Sequence, residues 1–248
     1  MAELLQYILF FEDTIVKTTL RIRFFHAMIE NNNRYGNDRD LFFREEEDWG
    51  RYNQMKLLIV IDMQNDFSLP DGAMPVAGAM EVIPSISDVL CQARKSLVPI
   101  IHIVRYYKPD GSNVDLCRRE QILSGVTLVA PGSAGAEIVS ELKPDPAVGR
   151  LMDADLLISG KPQKIGPKEW IVYKSRWGAF YETNLEKFLK DQGVDSLIFM
   201  GNNFPNCPRT SIYEASERDF KLGLVTVSYT HLRAHETRHD IVCRLLLE

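Results

Sequence analysis

Five short apolar runs constrain the fold of this chain more than any other feature. LLIVI (57–61), VPIIHIV (98–104), EWIVY (169–173), SLIFM (196–200) and LGLVTV (222–227) are rich in β-branched residues and lack the polar alternation of a strand with one wet face. Such runs are strands covered on both sides. Between them, AMEVIPSISDVLCQARKS (79–96), YETNLEKFLKDQG (181–193) and NCPRTSIYEASERDF (206–220) have helical spacing, and the second closes on Gly193, a residue suited to a helix C-terminus. Strand, helix and strand in repetition predict right-handed crossovers and a three-layer α/β/α fold, a doubly wound, mostly parallel, Rossmann-like sheet. Residues 105–168 interrupt the rhythm with a long connection rich in Pro and Gly, in which a short helix is expected around residues 134–142. Connections of that length in a compact domain are usually functional loops.

The apolar runs also set the domain limits, with one domain expected over 55–227. Residues 1–54 mix aromatics and charges without a period before Met55 opens the first clean strand, so they read as an upstream extension of the reading frame or a docking arm. SYTHLRAHETRHDIVCRLLLE (228–248) resembles translated sequencing-adapter read-through and is expected to be an artefactual tail on a domain cut short at its C-terminus. Its His235, Glu236 and His239 match the zinc-protease pattern HExxH, which leaves a zinc hydrolase as a remote alternative. Charge and cysteine content narrow the function classes. With 29 basic and 34 acidic residues the net charge is −5, which provides no field to gather nucleic acid or anionic lipid. No apolar stretch is long enough to cross a membrane. Four unpaired-looking cysteines fit a reducing cytoplasm.

In an open parallel sheet, ligands bind beyond the carboxyl ends of the strands, so the first polar residues after each apolar run are the candidates for chemistry. LLIVI leads to Asp62, EWIVY to Lys174, and SLIFM to Gly201 and a short turn that carries Cys207 into a helix. A carboxylate can take a thiol proton, an ammonium and a helix N-terminus favour the thiolate, and a thiolate attacks a carbonyl carbon. Taken singly, each residue has a plainer reading: a structural hydrogen-bond acceptor, a solvated charge, an inert small hydrophobe.

VIDMQNDF (60–67), YKSRWGAFYETNL (173–185) and GNNFPNCPRTSIYEASERDF (201–220) resemble the three signature blocks of the isochorismatase-like cysteine hydrolases, in the same order and over essentially 55–227. The resemblance implies the isochorismatase-like hydrolase fold, with Asp62 as general base, Lys174 as the cation beside it and Cys207 as nucleophile. It also implies a cis peptide between Asn202 and Asn203, and an oxyanion hole from the backbone N–H groups of Asn203 and Cys207. VRYYKPDGSNVDLCRRE (104–120) and PGSAGAEIVSELKP (131–144) are similar to the family's loop over the active site. Arg105, Asp110 and Arg118 are candidates to orient a polar substrate, and Phe67, Trp177 and Phe204 to wall the pocket, with loop structure and core packing as the competing roles. The nicotinamidase branch of the family binds a metal with an Asp and two His, whereas the domain body here holds His102 alone, so no metal and no cofactor are expected.

The function expected is a cysteine amidohydrolase that cleaves a C–N bond of a small amide, carbamoyl or ureido substrate through a thioester. Isochorismate-type vinyl-ether hydrolysis and a non-catalytic small-molecule binding module are the alternatives. The expected partner beyond the substrate is a further copy of the chain, as a dimer or tetramer by analogy with the family.

Overall fold

The computed structural model describes residues 8–11, as backbone alone, together with 55–147 and 151–225. Its seven strands are β1 (Ile8–Phe11), β2 (Met55–Ile61), β3 (Ile100–Arg105), β4 (Gln163–Gly166), β5 (Glu169–Lys174), β6 (Val194–Gly201) and β7 (Lys221–Val225), joined in the order β1-β7-β6-β2-β3-β5-β4. The five inner strands are parallel, and the two outermost, β1 on β7 and β4 on β5, are antiparallel. The five apolar runs form these inner strands. The architecture is the doubly wound, mostly parallel α/β/α sheet expected from the sequence.

Successive residues of each inner strand serve opposite faces, which is why the runs are apolar throughout. In β2, Leu58 and Val60 join a core with Ile100, Val104, Ile198 and Met200 under α2 (Ala79–Lys95). Leu57, Ile59 and Ile61 join the other core with Ile101, Val172, Leu197 and Phe199 under α5 (Leu185–Asp191) and α6 (Cys207–Ser216). The helices α1 (Asn65–Ser68), α3 (Leu116–Leu123) and α4 (Ala154–Ile158) complete the set. Among the described residues no helix is long and apolar enough to cross a membrane.

The chain runs from β2 to β3 and β5 on one side, then returns to β6 on the other. The carboxyl end of β2 is therefore the point where the winding reverses, the place where an open sheet of this kind forms its crevice.

The connection 105–168 departs from expectation. The helix anticipated around 134–142 reduces to one 3₁₀ turn, Ser140–Leu142, while α3, α4 and β4 form where none was anticipated. The cause is non-local. The carbonyls of Ala134, Gly135, Ala136 and Glu137 accept from Asn65 Nδ2, Asp66 N, Gln64 Nε2 and Asn65 N respectively, and of the four Ala134 alone also accepts locally, from Glu137 N at 3.2 Å, which leaves a single turn in place of a helical ladder.

Candidate active site

Each of the three strand-end residues reaches the crevice by a different local device. Asp62 turns off the end of β2 with φ 55, a left-handed conformation that Asp tolerates better than most residues, and its N–H stays on Ile103 O at 3.0 Å. Lys174 is the last residue of β5 and is fully buried. Cys207 is the first residue of α6, after a turn that starts at Gly201. Gly201 has φ 152, and a Cβ there would lie 2.4 Å from Ile61 O, so no larger residue fits so close to β2. Asn202 crosses back from this turn and donates to Asp62 O at 3.1 Å.

Lys174 Nζ donates to Asp62 Oδ2 at 2.9 Å, and both side chains are withdrawn from solvent. Burial works to raise the Asp62 carboxyl, but the charges of Lys174 and Arg105 and the Cys207 thiol outweigh it and hold the group below its ordinary value. Among the described residues, Asp62 Oδ1 is buried with no N–H or O–H donor, and the group it has to hand is the Cys207 thiol. In Cys207 the balance goes the other way: burial, reinforced by the Asp62 charge, pushes the thiol up against the pull of Lys174 and Arg105. The resting pair is thus a carboxylate beside a protonated thiol. The ammonium and the helix N-terminus read from the sequence both favour the thiolate; the carboxylate's charge, 2.9 Å from the lysine that it neutralises, removes much of that bias.

Arg105, expected to face substrate, ends β3 buried. Its Nη2 lies 3.6 Å from Cys207 Sγ, and its Nη1 donates to Asp115 Oδ1 at 2.9 Å and to the Tyr107 hydroxyl. The Gln64 side chain clamps its backbone: Arg105 N donates to Oε1 at 2.7 Å, and Nε2 donates to Arg105 O at 2.8 Å. Phe67 and Phe204 pack into the two cores, Phe67 under α2 and Phe204 beside Cys207. Trp177, 36% exposed, lies on the loop after Lys174. Asp110 is exposed and accepts from Ser112, closing its own turn, and Arg118 donates to Met74 Sδ at 2.9 Å.

The turn before Cys207 differs from what the family resemblance implied. Among the described residues every peptide bond is trans, including that between Asn202 and Asn203. The reversal is carried instead by positive φ at Gly201 and by φ 50 at Asn203, and Asn206 N donates to Asn203 O at 3.1 Å to close the turn. Cys207 heads α6, so its N–H has no acceptor within the helix. Among the described residues no group of three His, Cys, Asp or Glu side chains is placed to hold a metal ion, and His102 is engaged with Glu169 inside the sheet. His235, Glu236 and His239 lie outside the described residues.

Sequence reading missed the residues that fasten these parts together. Asp66 accepts from Ala73 N at 3.2 Å and Val129 N at 2.6 Å, and a Cβ on Gly135 would collide with its carboxylate. Asn113 donates to Tyr106 O and the Tyr173 hydroxyl, both at 2.9 Å. On the other side, Ser211 and Glu214 of α6 accept from Ala179 N at 3.1 Å and Phe180 N at 2.8 Å, tying the loop after Lys174 to the helix that carries Cys207. The available signal was the polar run Gln64-Asn65-Asp66 directly behind a buried strand. Polar residues there are buried only if they find partners.

The isochorismatase domain profile matches residues 56–153 and 152–239. A protein of Arabidopsis thaliana named "Probable inactive nicotinamidase" is 32% identical over 164 residues, which is 66% of this chain and 74% of that protein. The ureidoacrylate amidohydrolase RutB of Methylobacterium radiotolerans is 25% identical over 200 residues, 73% of this chain and 69% of that one. Among solved structures, an isochorismatase family protein from Desulfovibrio vulgaris superposes with a TM-score of 0.64 at 30% identity, covering 79% of this chain and 92% of the other. With the profile spanning the described domain, and with a solved relative of the same fold, this chain belongs to the isochorismatase family of hydrolases.

Proposed function

We propose that the protein is a cysteine amidohydrolase acting on a small amide, carbamoyl or ureido compound, with Cys207 as nucleophile, Asp62 as general base and acid, and Lys174 as the cation that keeps Asp62 ionised. The observation that carries this reading is the divided Asp62 carboxylate, with Oδ2 bound to Lys174 and Oδ1 left without a conventional partner in a buried site next to the Cys207 thiol. A buried oxygen in that condition costs about 1–3 kcal/mol unless the site uses it.

The cycle balances without a metal or cofactor. Asp62 takes the proton from Sγ as sulfur attacks the carbonyl carbon. The backbone N–H groups of Asn203 and Cys207 hold the oxyanion. Protonated Asp62 then gives its proton to the departing nitrogen, so that ammonia or an amine leaves and a thioester remains. Asp62 deprotonates a water that attacks the thioester, and the leaving thiolate regains its proton. Phe67, Phe204 and Trp177 are proposed to shape the pocket around the carbonyl, the first two from within the cores and Trp177 from its edge. The amidohydrolase named among the relatives supports a C–N substrate.

A screen for ammonia release across simple carboxamides, carbamoyl amino acids and ureido acids tests the proposal, with Cys207→Ala as the control. Turnover of at least one class that Cys207→Ala abolishes is expected. Vinyl-ether hydrolysis that survives Cys207→Ala would replace the proposal with the isochorismate-type reaction. The Arabidopsis relative's name raises a second reading, a binding module without turnover. Ligand-induced thermal stabilisation with no product from any class would favour it.

A further inference from the structure

Lys174 and Arg105 are register partners at the ends of β5 and β3, so two cations stand side by side in the interior at the crevice. The Asp62–Lys174 pair accounts for only one of them. The other is held with unusual completeness. Its backbone N–H and C=O are both clamped by Gln64, and its Nη1 is shared by the Asp115 carboxylate, at 2.9 and 3.2 Å, and the Tyr107 hydroxyl, which itself donates to Asp115 Oδ1 at 2.7 Å. With main chain and Nη1 fixed, Nη2 is aimed at Cys207 Sγ, 3.6 Å away.

We propose that Arg105 is a catalytic cation at the nucleophile, contacting the sulfur itself, and that Asp115 and Tyr107 are positioning residues that act on the sulfur through Arg105. The charge count fits this role. Asp62 and Asp115 balance Lys174 and Arg105 at rest, and a proton passed from Cys207 to Asp62 leaves both cations facing a thiolate with the sum unchanged. The charged groups around Cys207 are Asp62 from β2, Lys174 from β5 and Arg105 from β3. Around Arg105 they are Asp115, Tyr107, Asp62 and Cys207, with Arg118 of α3 acting on Asp115 and Tyr107 from behind, and the Cys117 thiol 3.6 Å from Asp115 Oδ2.

Asp115 precedes α3 in the 105–168 connection, yet its carboxylate makes no cap hydrogen bond to that helix, because Arg105 and Tyr107 occupy it. The anchor in the connection therefore tunes the nucleophile: with Asp115 holding Arg105 against the sulfur, the resting thiol gives up its proton at less cost than it would with the anchor lost.

This inference rests on Cys207 being the nucleophile, and its test uses no substrate, so the two fail separately. The rate of iodoacetamide alkylation is measured against pH on the full chain, with the adduct at Cys207 quantified by peptide mass spectrometry. Arg105→Gln is expected to raise the apparent thiol pKa by about one to two units, and Arg105→Lys, which keeps the charge but loses the fork, by less. Asp115→Ala discriminates by sign. Loss of a nearby negative charge alone would lower the thiol pKa, whereas loss of the Arg105 anchor raises it. The rise is expected, with Asp115→Glu restoring the parent value and the Arg105→Gln/Asp115→Ala double variant shifting no further than Arg105→Gln. A fall or no change in Asp115→Ala, or an unchanged value in Arg105→Gln, overturns the proposal. Should Arg105→Gln fail to give a cooperative thermal transition, Arg105→Lys decides: an unchanged thiol pKa there, together with a fall in Asp115→Ala, rejects the role. Ammonia release plays no part in the readout, so an inactive parent chain with an Arg105-dependent thiol would sink the amidase reading and keep this one.

Discussion

Asp62 and Glu169 are both buried carboxylates paired with cations on the same sheet, yet they stand at opposite ends of it and in opposite states. Glu169 opens β5 at the amino end. Arg94 donates to both its oxygens, Nη2 to Oε1 at 2.7 Å and Nε to Oε2 at 2.8 Å, and His102 Nε2 meets Oε1 at 2.7 Å. Asp62 stands beyond the carboxyl end of β2 with one oxygen on Lys174 and the other without a conventional partner. A buried carboxylate with both oxygens engaged holds structure, because each oxygen that lost water has a replacement partner. A half-saturated one retains the capacity to take a proton. The difference is the one expected between a brace and a general base.

The strongest way to break the comparison is to neutralise each carboxylate in turn. Asp62→Asn removes the proton acceptor and is expected to lower ammonia release by about a thousandfold or more. It also leaves the Lys174 charge buried without a counterion, costing about 3–5 kcal/mol, read as a lowered midpoint in urea unfolding. Glu169→Gln should leave turnover within a few-fold of the parent and act on stability instead. Against the lift from burial, the Arg94 and His102 bonds bring the Glu169 carboxyl down from 4.5 to about 2. A depressed folded pKa contributes stability that is present above the unfolded value and lost as pH falls through the folded one. The contribution is about 3 kcal/mol, lost between pH 4.5 and about 2, and the Gln variant should show a flatter acid limb over that window in thermal melts.

A smaller effect sharpens the contrast at the site. A Cβ on Gly178 would lie 2.2 Å from the Glu214 carboxylate, which anchors the loop after Lys174 onto α6. Gly178→Ala is therefore expected to cost about 1–3 kcal/mol and to lower kcat, whereas Gly193→Ala, with open space around its Cβ but φ 71, acts on stability alone. Smallest of all, Lys187→Ala breaks an exposed ion pair with Asp191 on α5 and should shift stability by no more than about 0.5 kcal/mol.

The inner strands and the Asp62, Lys174 and Cys207 positions were legible because their signals are local: an apolar run followed at once by a polar residue for Asp62 and Lys174, and by a short turn into a helix for Cys207. The polar clamp around them was not. Gln64 reaches Arg105 across 41 residues and Ala136 across 72, and no window on the sequence contains both partners. The same distance hides the contrast itself. Asp62 and Glu169 are each one acid at the margin of an apolar run, and only the side chains brought beside them by β3, β5, α2 and α6 separate the brace from the base. The helix expected around 134–142 failed for the related reason that the carbonyls of residues 134–137 answer to Gln64, Asn65 and Asp66 and keep only one bond among themselves.

The central claim is that Asp62 keeps one oxygen for the Cys207 proton, and its most direct test is the ionisation of that thiol with and without the Asp62 charge. The parent thiol should ionise above the free value of about 8.5, and in Asp62→Asn it should ionise at lower pH while ammonia release is lost. An Asp62→Asn variant whose Cys207 ionises at the parent pH, or higher, would contradict the account.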